Sequence, residues 1–404
     1  MNKMTDDLIE GFDRARLGRI DDWMQRYVDE GKFPGCSVRI ARHGNIVHQF
    51  SCGYRSIARK QSFELDTIVR IFSMSKLITS TAMMLLVERG LVHLDAPVSA
   101  FLPEFSNCRA LIDGATSLDQ TNPCSPPTLH HLLTHTAGMT YGLNESLLSD
   151  AYDKERLNFF PDNKSLTEKV RDLAALPLMF VPGTRFEYSA SIDVAGRVIE
   201  AVSGKTLDRF LYDEIFDPLG MTETWFAIPK DKVNRFADCY DLTESNPLHL
   251  YDAAEDSVYL EGRVTTFSGG GGLLSTLDDY FRFGEMIRRG GALDGERLLS
   301  PRTVSFMRQN HLPGSVASVN PTSFAEMPMD IVGFGIGGAV VTDPAKMGVP
   351  GSVGDFGWGG LASTFFWTDP VEDLTVVFLT QLIPSDAYPN RAELKALVHG
   401  ALVN

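Results

Sequence analysis

Ile71-Phe72-Ser73-Met74-Ser75-Lys76 sets a hydroxyl and an amine three residues apart at the start of an apolar, helix-forming run, Leu77 to Arg89. Three residues along a helix put Ser73 and Lys76 on the same face, so the Lys76 amine can reach the Ser73 oxygen. A lysine in an apolar wall or beside another cation can release its proton near neutral pH and take one from a hydroxyl. It then does what histidine does in a Ser-His-Asp triad. The unpaired N–H groups of a helix mouth offer partial positive charge to an oxyanion. The competing reading is plain: S-x-x-K is short, and serine is also a good helix N-cap. Partners elsewhere in the chain must decide.

Two further segments qualify. Tyr188-Ser189-Ala190-Ser191 follows Pro182-Gly183-Thr184 and opens a helical run, Ile192 to Val202. A tyrosine there can aim its hydroxyl into a cleft and, beside a cationic lysine, act as general acid and base. Phe356-Gly357-Trp358-Gly359-Gly360 precedes the last hairpin. Glycines at a strand allow close backbone approach, and a backbone N–H there, with that of Ser73, can complete an oxyanion hole. Taken singly, the tyrosine reads as a buried ring with a satisfied hydroxyl and the glycines as a turn.

Together, Ser73 and Lys76, Tyr188 about 115 residues later, and the Trp358 segment late in the chain resemble the superfamily of class C β-lactamases, D,D-peptidases and family VIII carboxylesterases. Supporting stretches are Leu132-Leu133-Thr134-His135-Thr136-Ala137-Gly138, Asp217-Pro218-Leu219-Gly220-Met221 and Ser268-Gly269-Gly270-Gly271-Gly272. Ala190 stands where lactamases carry asparagine, and Trp358 where they carry the lysine that holds a β-lactam carboxylate. Both points resemble family VIII esterases, which implies a neutral, short-chain carboxylic ester as substrate. The resemblance implies Ser73, Lys76 and Tyr188 as catalytic residues, the N–H groups of Ser73 and Leu361 as oxyanion hole, and Phe72, Trp358, Gly359 and Gly360 as pocket. It implies no cofactor and no metal. An acyltransferase, a β-lactamase or D,D-peptidase-type amide hydrolase, and a non-catalytic binding homologue are the alternatives.

The elements that must position these residues are legible in outline. Leu17, Ile20, Met24 and Tyr27 recur at helical spacing, and Gly31 and Pro34 end that helix. Residues 36 to 56 read as a hairpin turning at His43-Gly44-Asn45; Ser363 to Trp367 and Leu374 to Leu379 read as a second, followed by a helix after Pro389. Strands at both ends and helical patterns between imply an α+β fold: an antiparallel sheet flanked by helices with a mainly helical insertion. The boundaries fall at 1–76 with 261–404 for the sheet domain and 77–260 for the helical one, with the site in the cleft between.

Composition narrows the rest. The 404-residue chain is 44% hydrophobic and carries a net charge of −15. That charge disfavours nucleic acid as a partner, and no apolar run reaches the about 20 residues that span a membrane. Met1 to Ile20 is charged and lacks a leader's apolar core. Cys36, Cys52, Cys108, Cys124 and Cys239 are odd in number and widely spaced, which reads as free thiols and a cytoplasmic protein. Gly333, Gly335 and Gly338 spell G-x-G-x-x-G without a dinucleotide-binding context, and read as a strand with small residues. His131 and His135 lack the glutamate of a zinc-protease helix.

Overall fold

Strands from the two ends of the chain alternate apolar residues that need cover on both faces, and they find it in one shared sheet. The computed structural model describes residues 8–141, 146–316 and 332–404. Met1 to Asp7, part of the stretch read above for a leader, lie outside the described residues. The sheet comprises β1 (Gly35–Arg42), β2 (Asn45–Ser56), β3 (Gln61–Ser62), β4 (Val332–Phe334), β5 (Ala339–Val341), β6 (Phe356–Gly359), β7 (Phe365–Asp369) and β8 (Leu374–Thr380). Its order is β4-β5-β6-β7-β8-β1-β2-β3, antiparallel at every step. The C-terminal strand β8 pairs with the N-terminal β1 from Leu374↔Arg42 to Thr380↔Cys36. Together with the helices, this is the expected α+β architecture.

Five helices bear on the site: α1 (Arg14–Asp29), α2 (Ser75–Glu88), α3 (Ser191–Ser203), α4 (Leu277–Arg288) and α5 (Asn390–Ala401). Val376 and Phe378 of β8 join Val38 and Ile40 of β1 in a core with Leu17, Ile20, Trp23, Met24 and Tyr27 of α1 and Leu394 and Val398 of α5. The intervening Val377 and Leu379 belong to the larger core that holds α2, α3 and α4. That is the period-two alternation of a strand covered on both sides. Each such side chain contributes about 1.5–3 kcal/mol on full burial. Helix α2 is buried all round from Ser75 to Leu86, so it sits inside the molecule and not on its surface.

Local sequence explains the joints. Asp13 caps α1 by accepting the Arg16 N–H at 3.0 Å. His43 and Gly44, both at positive φ (53° and 85°), make the two-residue turn between β1 and β2. The G-x-G-x-x-G is a sheet feature: Gly333 lies in β4, and the Gly335 N–H donates to the Gly338 carbonyl at 2.8 Å across the turn into β5. Gly337, at φ +82°, leaves no room for a side chain, because a Cβ there would stand 2.3 Å from Ser80 Oγ of α2.

Behind β6, Asp355, Asp369 and His399 bring ligand-type atoms within 4.8 Å of one another, the one such trio among the described residues. The Lys395 ammonium stands 2.6 Å from the Asp355 carboxylate. Burial nonetheless outweighs that attraction and pushes the Asp355 carboxyl from 3.8 up to about 7. Between these two values the folded state keeps a proton that the unfolded chain has released. The contribution of Asp355 to stability therefore falls as pH rises from about 4 to about 7. Asp355→Asn is expected to flatten this slope in urea unfolding measured across that window; an unchanged slope would assign the dependence elsewhere.

Candidate active site

Ser73 sits in a short 3₁₀ turn, Phe72–Met74, between the strand pair Val69–Arg70 with Leu274–Ser275 and helix α2. The helix begins at Ser75, two residues before the apolar run suggests. Its N-cap residue is Met74, with no side-chain cap, so the Ser73 hydroxyl is not spent on capping. Phe72 adopts φ +42°, a left-handed conformation rare for an aromatic residue, and is almost fully buried.

Lys76 is buried to 1% exposure. Its Nζ lies 3.1 Å from Ser73 Oγ and donates to the Gly270 carbonyl at 2.5 Å. The rings of Tyr188 and Tyr141 flank it, with centroids 4.6 and 4.9 Å from Nζ. Tyr188 stands at the entrance to α3, and its hydroxyl oxygen accepts the Trp358 indole N–H at 3.1 Å. Trp358 comes from β6, whose end is drawn against the Ser73 turn. A Cβ on Gly360 would lie 2.4 Å from the Ile71 carbonyl oxygen and 2.3 Å from Thr364 Oγ1. Only glycine lets these backbones meet.

All eight residues singled out in the sequence line one cavity of about 400 Å³: Phe72, Ser73, Lys76, Tyr188, Trp358, Gly359, Gly360 and Leu361. Phe159 and Phe160 extend its aromatic wall. The trio Asp355, Asp369 and His399 is not part of it, and neither His131 nor His135 lines it. His131 Nδ1 accepts the Thr128 N–H in a helix cap, and His135 is buried behind Tyr188.

Sequence reasoning missed three residues of the site: Asp193, Tyr141 and Arg391. Asp193 on α3, fully buried, accepts from Ser268 Oγ, from the Gly270 N–H at 3.0 Å and from the Tyr141 hydroxyl at 2.8 Å. It thereby anchors Gly270, the residue whose carbonyl holds Lys76. The glycine run Ser268–Gly272 carried that signal, but its partner Asp193 is 75 residues from Ser268. The third is Arg391 of α5, which lines the cavity against Gly359 and supplies a cation that the Trp358 wall lacks.

The Beta-lactamase family model matches residues 20–400. The chain belongs to the Beta-lactamase family. Protein Rv1367c of Mycobacterium tuberculosis is 35% identical over 365 residues, 88% of each chain. Esterase EstB of Burkholderia gladioli is 31% identical over 386 residues, 91% of each. Among solved structures, EstCE1, described as a hydrolase with promiscuous acyltransferase activity, superposes with a TM-score of 0.80 at 28% identity, covering 97% of this chain and 99% of its own. The family VIII resemblance drawn from the motifs and the α+β fold are both borne out.

The close approach at Gly360 has a measurable cost. Gly360→Ala is expected to destabilise the protein by about 1–3 kcal/mol, read from the denaturation midpoint. A midpoint equal to that of the unsubstituted protein would mean that the β6 end is not seated against the Ser73 turn.

Proposed function

We propose that the chain is a serine carboxylesterase that forms an acyl-enzyme on Ser73. The observation that carries this reading is the 3.1 Å contact between Ser73 Oγ and a buried Lys76 inside an aromatic cavity. At that distance a hydrogen can lie on either atom. Ser73 Oγ attacks the ester carbonyl as its proton passes to Lys76 Nζ. The Trp358 N–H donated to the Tyr188 oxygen leaves the phenol O–H to be given elsewhere, and Tyr188 with Lys76 carries the proton on to the leaving alcohol. The backbone N–H groups of Ser73 and Leu361 hold the oxyanion. Water then releases the acid, and no cofactor or metal takes part.

A neutral ester with a short acyl chain fits walls made by Phe72, Phe159, Phe160 and Trp358, and about 400 Å³ leaves space for a larger alcohol. The same acyl-enzyme can pass its acyl group to an alcohol, the acyltransferase alternative, which the description of EstCE1 favours. Residues 1–76 with 261–404 are read as the sheet domain and 77–260 as the helical one; the sheet's mixed N- and C-terminal strands support the first. No helix among the described residues is long and apolar enough to cross a membrane. The five cysteines are free thiols, which supports a cytoplasmic setting.

With a short-chain chromogenic ester, Ser73→Ala is expected to abolish turnover, and Lys76→Ala to lower kcat by about 10³-fold or more. Full activity in either variant would overturn the mechanism. A chromogenic cephalosporin turned over rapidly, with negligible ester turnover, would overturn the substrate class.

A further inference from the structure

The histidine of Leu132-Leu133-Thr134-His135-Thr136-Ala137-Gly138 has no place in the chemistry above, yet it is fully buried directly behind Tyr188. Its backbone is left-handed, at φ +54°, a region uncommon for non-glycine residues and one in which asparagine, aspartate and histidine are the best tolerated. That turn aims two acceptors of one residue at the same short segment. The His135 carbonyl accepts the Glu187 N–H at 2.9 Å, and its Nδ1 accepts the Ser189 N–H at 3.2 Å. The residues on both sides of Tyr188 are thus tied, through their N–H groups, to a single residue. The imidazole also packs on the phenol, with centroids 4.7 Å apart, and is braced edge-on by Phe186 and Phe334.

We propose that His135 is the positioning residue for Tyr188: its carbonyl and Nδ1 clamp residues 187–189, and its ring backs the phenol towards Lys76. The inference rests on Tyr188 being catalytic. The clamp needs an unprotonated Nδ1, because an imidazolium would donate from both nitrogens. Burial, and behind it the Lys76 charge, hold the His135 pKa well below its ordinary value, so the ring is neutral and its proton lies on Nε2. That nitrogen has no hydrogen-bond partner, so Nδ1 alone anchors the ring.

The test separates the acceptor from mere filling of space. Asparagine tolerates a left-handed backbone and carries an oxygen at the same bond distance as Nδ1; glutamine carries it one bond further; leucine has none. His135→Asn is expected to keep kcat within about threefold of the unsubstituted enzyme. His135→Gln and His135→Leu are expected to lower kcat about 10- to 100-fold, the scale set by displacing a reacting group by about 1 Å, with KM nearly unchanged. Should the leucine variant fail to fold, the asparagine–glutamine pair still decides. Glutamine at full kcat, or folded asparagine as poor as glutamine, would overturn the proposal. Tyr188→Phe run alongside distinguishes the failures: full activity there refutes the catalytic tyrosine itself, whereas an inactive Tyr188→Phe with active His135→Gln refutes only the clamp.

Discussion

Burying a lysine side chain costs several kcal/mol unless partners meet its nitrogen. The site is organised around that requirement at Lys76. One N–H goes to the Gly270 carbonyl, the Ser73 hydroxyl lies at 3.1 Å, and two tyrosine rings offer their faces. Each arrangement demands another. Gly270 is held by Asp193, Asp193 also takes the Tyr141 hydroxyl, and Tyr188 is met from the far side by Trp358. The amine's burial and its nearness to Ser73 are two consequences of one placement, a lysine in the first turn of a helix enclosed by the rest of the fold.

That enclosure explains why both ends of the chain are needed. Helix α2 carries Lys76 from the N-terminal part of the chain, α3 brings Asp193 from the middle, and β6 brings Trp358 and the glycines from the C-terminal part. The sheet joins β1 to β8, so the N-terminal hairpin braces the strands on which the Trp358 segment hangs. The glycines at 337 and 360 mark where the sheet is pressed on α2 and on the turn before Ser73. Packing sets the geometry of the Ser73, Lys76 and Tyr188 side chains.

Much of this was legible because its signals are local. The helix face of Leu17, Ile20, Met24 and Tyr27, the His43-Gly44 turn and the closing hairpin each declare themselves within a short stretch of consecutive residues. Ser73 and Lys76 share one helical turn, so their contact follows from spacing alone. Asp193, Tyr141 and Arg391 were not legible, because their places in the site depend on contacts between residues far apart in the chain, such as the 52 residues between Tyr141 and Asp193. A buried carboxylate on a helix has no local mark that separates it from an exposed one. His135 was visible as a letter in a motif, but its function lies in a backbone angle and two hydrogen bonds that spacing does not encode.

The most direct test of the central claim is to ask which atom becomes acylated. The enzyme would be treated with a small alkyl phosphonate ester and the site of its single adduct located by intact mass and peptide mapping. The account predicts one stoichiometric adduct on the peptide bearing Ser73. A stoichiometric adduct on any other residue, with Ser73 unmodified, would contradict it.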